Sequence, residues 1–302
     1  MTGAGNVKGE TSRLPPGAAD IPLFNRDDYA APSVFLPQSL LREARRQKAL
    51  PESTVPPVCV LDPDGDLVAY ARQQFGATPS PHWACYHTQM LEWGSGDNRF
   101  GIIGFVVGGP FAVLVAEQLF ACGCELLISI TSAGQIVDVG SPPYYVLIDR
   151  ALRDEGTSHH YLPPSDYASA DPALIALARE ATATVPVKVY VGAAWTTDAP
   201  YRETEQIIAK RKEQGLLAVE MESAALYAFG MARKCPVICF AHVTNQLGCV
   251  EGDFEKGEGS GARGSAELVH SIAKLRQRVA LRGGRSPVSS AILFAAWYPS
   301  ST

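Results

Sequence analysis

Residues 100–134, FGIIGFVVGGPFAVLVAEQLFACGCELLISITSAG, hold the pattern that decides the fold. The apolar run Phe100 to Val107 has the length of a buried strand, a Gly-Gly-Pro turn follows it, and the next residues have helical character. Gly123 predicts the end of that helix, and Leu126 to Ile130 predict a second buried strand that closes in a turn at Thr131 to Gly134. A strand, a helix and a strand within about thirty residues form a right-handed βαβ unit. The stretch therefore predicts an α/β protein.

The stretch Leu217 to Tyr227, LAVEMESAALY, places two acidic residues around a methionine where a predicted strand passes into a predicted helix. Its apolar residues alternate up to Glu222, and from Ser223 they follow a helical period. Carboxylates at a helix start are common, because the exposed amide groups of the first turn stabilise negative charge. The stretch therefore fits either an ordinary helix N-terminus or a binding site at an element boundary.

Both stretches resemble segments of one known family. VEMESAALY resembles the Val-Glu-Met-Glu-(Ala/Ser)-Ala segment of the nucleoside phosphorylase and uridine phosphorylase family, which also includes the nucleosidases. The two glycine turns of residues 100–134 and the segments Asp154 to Tyr161 and Val191 to Glu203 add to the resemblance, which covers residues 58–280. It implies an α/β fold, a single domain with a central mixed, largely parallel twisted sheet flanked by helices.

The resemblance also implies a nucleoside site. In the family, the methionine at the position of Met221 packs under the ribose, and the glutamate at that of Glu222 binds its hydroxyls. This is chemically sound, because an ionised carboxylate accepts two hydrogen bonds from a vicinal diol and a thioether covers an apolar sugar face. The implied site residues are Glu220, Met221 and Glu222 for the ribose, Gly108, Ser132 and Gly134 for the anion or nucleophile, and Trp195, Thr197, Asp198 and Tyr201 for the base. Trp195 fits core packing equally well.

Family phosphorylases bind phosphate with a Gly-Asp-Pro turn after the first strand and with arginines, and here the expected arginine positions hold other residues. The turn reads LDPDGDL over Leu61 to Leu67, with Leu67 or Val68 at one expected arginine and Ser129 at another. Carboxylates without a cation disfavour a phosphate dianion, because each unpaired anion repels it. The arginines that remain as alternative phosphate ligands are Arg150, Arg153 and Arg45 of a neighbouring subunit.

In the nucleosidases, a carboxylate of this turn activates water, and the resemblance implies that role for Asp64 or Asp66. Asp-Pro-Asp-Gly is also an ordinary turn sequence, so a structural role for these acids stays open. On the leaving-group side, Asn245 follows a predicted strand where purine-specific members have an aspartate. An amide cannot protonate a leaving base, but it can donate to a carbonyl and accept from an N–H, which suits a 6-oxopurine or a pyrimidine. The same strand carries His242, which fits either the core or the pocket.

The sequence therefore predicts an enzyme that cleaves the N-glycosidic bond of a nucleoside, with hydrolysis preferred. Phosphorolysis to ribose 1-phosphate, with phosphate as second substrate, and a non-catalytic nucleoside-binding protein are the alternatives. Because family members build each pocket partly from a neighbour's residues, a homo-oligomer built on dimers is expected. The helix at Arg42 to Lys48, with His82 or His87, is its candidate contribution.

Composition agrees with one α/β domain and limits the partners. Of 302 residues, 46% are hydrophobic, and the net charge of -5 argues against nucleic-acid binding. We expect an N-terminal extension at 1–57 with a short helix over Ser39 to Lys48, the domain at 58–283 and a tail at 284–302.

The sequence has no apolar run of membrane-span length and no signal-peptide core, so no membrane partner and a cytoplasmic location are expected. Seven cysteines and six histidines stand in no metal-ligand spacing, so neither a metal nor another cofactor is predicted.

Overall fold

A computed structural model describes residues 21–247 and 251–282, with side chains for all of these except Asp97 and residues 275–282. The predicted tail at 284–302 and the first twenty residues of the predicted extension lie outside the described residues. The helices are α1 Pro37–Lys48, α2 Asp66–Phe75, α3 Gly109–Ala121, α4 Pro172–Thr182, α5 Glu205–Glu213, α6 Ser223–Arg233 and α7 Ala262–Arg282. The strands are β1 Val58–Asp62, β2 Thr78–Pro79, β3 Leu91–Trp93, β4 Phe100–Gly104, β5 Leu126–Gln135, β6 Tyr144–Asp154, β7 Tyr167–Ser169, β8 Val189–Thr197, β9 Ala218–Glu220 and β10 Val237–Asn245.

The strands form one mixed sheet whose centre is parallel. Strand β1 lies between β4 and β5, and β5 pairs in parallel with β10. Strand β10 pairs antiparallel with β6, β6 pairs in parallel with β8, β8 pairs in parallel with β9, and β9 returns to β5 in antiparallel pairing. Five strands, β5, β10, β6, β8 and β9, therefore close into a ring at one end of the sheet. Helices α2, α4 and α7 contribute to the core on one face and α1, α3 and α6 to the core on the other, so the predicted fold class is confirmed.

The βαβ unit predicted from residues 100–134 is present as β4, α3 and β5, but both strand ends differ from the prediction. Strand β4 ends at Gly104, because Phe105 adopts a φ of 62°, which a strand does not contain. The predicted turn at Thr131 to Gly134 is wrong, since β5 continues to Gln135. Its extension has partners on both sides: Ser132 is in register with His242 of β10, and Gly134 with Val219 of β9. Cross-strand pairing at long sequence separation thus overrides the local turn signal.

The helix expected over Ser39 to Lys48 is α1, and it packs on the body of the domain. Leu41 and Ala44 are buried in the same core as α3. The guanidinium of Arg45 donates to the carbonyl oxygens of Ser53 and His82 and to Cys122 Sγ of its own chain. Among the described residues, no helix combines the length and the apolar character that crossing a bilayer requires.

Candidate active site

The predicted site residues come from several elements that end at one edge of the sheet. Asp62 and Asn245 are the last residues of the parallel strands β1 and β10, and Glu220 is the last residue of β9, which runs antiparallel to β5 and pairs with its last residues. The N–H of Gly108, just before α3, contacts Glu222, just before α6. Ligands of open α/β sheets bind in the crevice outside the carboxyl ends of parallel strands. The site is therefore expected here, between the turn after β1 and the start of α6.

Glu222 immediately precedes α6 and is 1% exposed. Its Oε1 accepts a hydrogen bond of 2.7 Å from the backbone N–H of Gly108, which adopts a φ of 87° at the start of α3. Its Oε2 is buried and has no hydrogen-bond partner among the described residues. Burial, and then the negative charge of Glu220, raise the pKa of Glu222 to about 8. A buried carboxyl oxygen without a partner is costly to the folded state, so it marks a place where a ligand can donate hydrogen bonds.

Glu220 is also buried, but its carboxylate is fully engaged by the protein. It accepts hydrogen bonds from the N–H of Glu222 at 2.8 Å, from the N–H and Oγ of Ser223 at 2.7 and 2.8 Å, and from the hydroxyl of Thr196. The amides belong to the beginning of α6, where backbone N–H groups lack partners within the helix. Glu220 therefore fixes the backbone on which Glu222 stands, and it has little capacity left for a ribose hydroxyl. Met221, between them, is half-buried.

Thr196 completes this arrangement, although it was not among the predicted site residues. It is in register with Glu220 across β8 and β9, donates to that carboxylate, and accepts a 2.9 Å hydrogen bond from the N–H of Ala224. Its alternation with the predicted base residues Trp195 and Thr197 along one strand was the available signal, because neighbours on a strand face opposite sides.

The acidic turn after β1 is tied to β5 through Asp64. The carboxylate of Asp64 accepts hydrogen bonds from the Oγ of Ser132 at 2.8 Å and from its N–H at 3.1 Å. Asp62, 4% exposed, accepts from the N–H of Val68 at 2.8 Å, and burial raises the pKa of Asp62 to about 7. Gly65, in the same turn, has a φ of 83°, and a Cβ atom there would lie 2.4 Å from the Phe105 ring. Position 65 therefore cannot carry a side chain, cationic or otherwise, without a rearrangement.

Lys256 supplies a cation that the sequence analysis did not identify. Its Nζ lies 2.5 Å from the carboxylate of Asp66, and both side chains are about one-third exposed. His242 lies close by: it is 6% exposed, stacks on Tyr145 at a centroid distance of 4.5 Å, and is in register with Ser132. Burial lowers the pKa of His242 to about 4, so the imidazole is neutral at neutral pH.

The arginines considered as alternative phosphate ligands are engaged elsewhere. Arg150 lies over the ring of Tyr167 at 4.7 Å. Arg153 is buried, and its guanidinium contacts Ser158, His159, Ser165 and the carbonyl oxygens of Leu162 and Pro163. Together with the contacts of Arg45 within its own chain, these interactions leave Lys256 as the one Lys or Arg side chain that contacts the turn after β1 in the described part of the chain.

The predicted base-binding residues lie in different surroundings and do not form one group. Trp195 is buried, donates from Nε1 to Asp154 at 2.9 Å and carries the Arg211 guanidinium 5.2 Å from its ring centroid, as a core residue does. The hydroxyl of the buried Thr197 accepts from the Ala199 N–H at 3.2 Å. Tyr201 is 99% exposed and covers nothing within its own chain.

Asp198 is exposed, accepts a 2.9 Å hydrogen bond from the Gly156 N–H and lines a cavity of about 490 Å³ beside the start of α3. Asn245 donates from its amide to the Ala133 carbonyl at 3.4 Å and accepts from the Leu247 N–H at 2.9 Å. Gly134 is buried beside it, since a Cβ there would meet the side chains of Leu247, Asn245 and Val219. Within residues 21–247 and 251–282, no group of three His, Cys, Asp or Glu residues is arranged to hold a metal ion.

Comparison with known proteins gives a consistent result. A family model described as the phosphorylase superfamily matches residues 35–277. The uridine phosphorylase of Thermococcus kodakarensis is 26% identical over 189 residues, which are 56% of this chain and 65% of that protein. The chain thus spans somewhat less than two thirds of that relative's length.

Two solved structures share the fold. The uridine phosphorylase of Vibrio fischeri ES114 superposes with a TM-score of 0.62 at 21% identity, covering 74% of this chain and 92% of the other. The AMP nucleosidase of Bacteroides thetaiotaomicron superposes with a TM-score of 0.63 at 19% identity, covering 80% and 99%. At these identities the likeness concerns the fold alone, and a phosphorylase and a nucleosidase fit it equally well.

Proposed function

The chain belongs to the phosphorylase superfamily, and on this basis we propose that it is an enzyme that cleaves the N-glycosidic bond of a nucleoside with water as the nucleophile. The observation that carries the proposal is the unpartnered Oε2 of Glu222, buried at the carboxyl edge of the sheet. A ribose diol supplies the two O–H donors that such a carboxylate accepts. Because Glu222 keeps its bond to Gly108 through Oε1, its second oxygen is presented in a fixed position.

In the proposed reaction, the bond between C1 of the ribose and the base nitrogen breaks, and its electron pair leaves with the base, which takes up a proton. The positive charge that develops on C1 and the ring oxygen is stabilised by ionised Glu222, which also orients the ring. The oxygen of a water molecule then bonds to C1, and its proton passes to Asp64, which releases it to solvent in exchange for the solvent proton that the base takes up. Two hydrogen bonds from Ser132 hold that carboxylate in place. Glu220 and Thr196 act as positioning residues, since they fix the start of α6 and do not reach the sugar.

Water is preferred over phosphate because of the charge at the turn after β1. Asp62, Asp64 and Asp66 lie there together, and Gly65 leaves no room for a side chain that could add a cation. A carboxylate about 4 Å from a phosphate charge repels it by about 4 kcal/mol at an effective dielectric constant near 20. Phosphorolysis is the second candidate, and Lys256 is the observation that favours it, because an ammonium group beside Asp66 is a ready phosphate ligand.

The test is a product assay over a panel of purine and pyrimidine nucleosides, with and without phosphate. Free base and ribose formed over many turnovers in phosphate-free buffer are the expected result. Saturable phosphate dependence with ribose 1-phosphate as product would replace hydrolysis by phosphorolysis. Binding of a nucleoside without any product would instead indicate a nucleoside-binding protein.

A further inference from the structure

The carboxylates of the turn after β1 accept hydrogen bonds from the donor groups that surround the turn. Asp64 takes both the N–H and the Oγ–H of Ser132, and Asp66 takes the ammonium group of Lys256. A backbone amide, a hydroxyl and an ammonium group are the kinds of donor that bind a tetrahedral oxyanion. At this edge, each of them already faces an anion of the protein.

His242 lies beside these groups. It is 6% exposed and stacks on the ring of Tyr145. Its strand register places it next to Ser132, and the charges of Asp64, Lys256 and Asp66 all act on it. Because burial keeps this imidazole neutral at neutral pH, the cation that can offset the carboxylates of the turn, among the described residues, is Lys256.

We propose that Asp66 is a specificity-determining residue: by holding Lys256, the one ammonium group that contacts this turn among the described residues, it withholds that group from phosphate and so favours water as the nucleophile. The inference deepens the proposed hydrolysis and rests on it. A phosphate dianion must displace Asp66 from Lys256 and also approach Asp64, whereas water meets neither charge penalty. In both reactions the bond to the base breaks in the same way, and the acidic turn selects whether a water oxygen or a phosphate oxygen bonds to C1.

The experiment compares the full-length wild-type chain with Asp66→Asn, with the double variant Asp66→Asn/Lys256→Met, and with Glu258→Gln. Glu258 is a matched control, because it is an exposed acid close in sequence to Lys256 whose ion-pair partner is Arg263. Asp66→Ser is a second variant that removes the same charge, and thermal melting establishes that each variant is folded. Inorganic phosphate binding is measured by calorimetry at low salt, and the sugar product is identified with a cleaved nucleoside at increasing phosphate.

We expect Asp66→Asn and Asp66→Ser to bind phosphate about tenfold or more tightly than the wild type, because the released ammonium is only partly screened by solvent. Glu258→Gln should stay at the wild-type level, and the double variant should return to it. Ribose 1-phosphate should appear with Asp66→Asn and be absent from the wild type. Phosphate binding that is unchanged by loss of Asp66, or a gain that survives loss of Lys256, overturns the proposal.

The outcomes also separate this inference from the proposed function. If the wild type turns over no nucleoside, hydrolysis fails, while a Lys256-dependent gain of phosphate binding in Asp66→Asn still supports the role of Asp66. If the wild type hydrolyses nucleosides and Asp66→Asn gains no phosphate binding, hydrolysis stands and the role of Asp66 is refuted. A wild type that itself forms ribose 1-phosphate refutes both.

Discussion

Replacing Glu222 by Gln tests the proposed ribose contact directly. The Gln side chain has nearly the same shape, and its carbonyl oxygen keeps the 2.7 Å bond from the Gly108 N–H. What changes is the second oxygen, which becomes an NH₂ donor and loses its acceptor capacity. A hydrogen bond to a charged group contributes about 1.5–3 kcal/mol. We therefore expect kcat/KM to fall by about tenfold to 150-fold, since 1.36 kcal/mol corresponds to a factor of ten.

The pKa of Glu222 adds a signature that a merely structural role does not give. In the empty site the pKa is raised to about 8, so the group is mainly protonated at pH 7, and hydroxyl donors from ribose favour the ionised form. We expect the KM of the wild type to fall as the pH rises from about 6 to about 8 and that of Glu222→Gln to lack this dependence. The assay is steady-state kinetics across that range.

The raised pKa of Glu222 also makes the stability of the fold depend on pH, and the direction of the pKa shift determines the direction of this dependence. A carboxyl group whose folded pKa lies above its unfolded value stabilises the fold below the unfolded value of 4.5, and this contribution is lost as the pH rises towards about 8. Glu222→Gln, which cannot ionise, should therefore gain in melting temperature relative to the wild type between pH 5 and pH 8. Unchanged kcat/KM together with a pH-independent difference in melting temperature would refute both the ribose contact and the raised pKa.

Three further predictions concern the surroundings of the site. Glu220→Gln should lower the free energy of unfolding by about 1–3 kcal/mol in urea titrations, because buried donors lose their acceptor. It should lower kcat/KM less than Glu222→Gln does. A larger loss of kcat/KM in Glu220→Gln than in Glu222→Gln would show that Glu220, and not Glu222, binds the ribose. Gly65→Ala should destabilise the fold by about 1–3 kcal/mol through its positive φ and the contact with Phe105, and Phe105→Ala in the same chain should recover part of the loss; no recovery would show that the ring is not the obstacle. We expect a homo-oligomer built on dimers by light scattering at assay concentrations, and a fully active monomer would contradict this.

The sequence predicted the elements that depend on local pattern. The βαβ unit and the passage from β9 into α6 are confirmed, because apolar alternation and glycine positions within a few residues determine them. The end of β4 was predicted three residues too late, since Phe105 and Val107 continue an apolar run. Their side chains are 70% and 52% exposed, and the ring of Phe105 lies against Gly65, a contact that only the folded chain contains.

The charges around the site were less accessible to sequence reasoning. Asp66 and Lys256 are 190 positions apart, and Lys256 stands in a glycine-rich loop with no motif to connect the two. Glu220 and Glu222 are two residues apart and were both assigned to the ribose, but Glu220 is saturated with donors whereas Glu222 keeps an open oxygen. That difference arises from Thr196 and Gly108, which distant elements bring to them. Contacts from residues on other elements thus leave an open oxygen on one acid and not on the other.

The closed ring of β5, β10, β6, β8 and β9 limits which features of this site can change during evolution. Ser132 and Glu220 lie on ring strands, and β5 and β9 are joined directly at Gly134 and Val219. The separation between the proposed nucleophile end and the proposed ribose end is therefore fixed by ladder hydrogen bonds, and a register slip of one residue would turn both faces over. Lys256 and Tyr201, by contrast, stand on connecting segments outside the ring. Under the proposed function, substitutions on these segments would alter the choice of nucleophile or base while the distance to the sugar stays the same, so new specificities can arise on an unchanged frame.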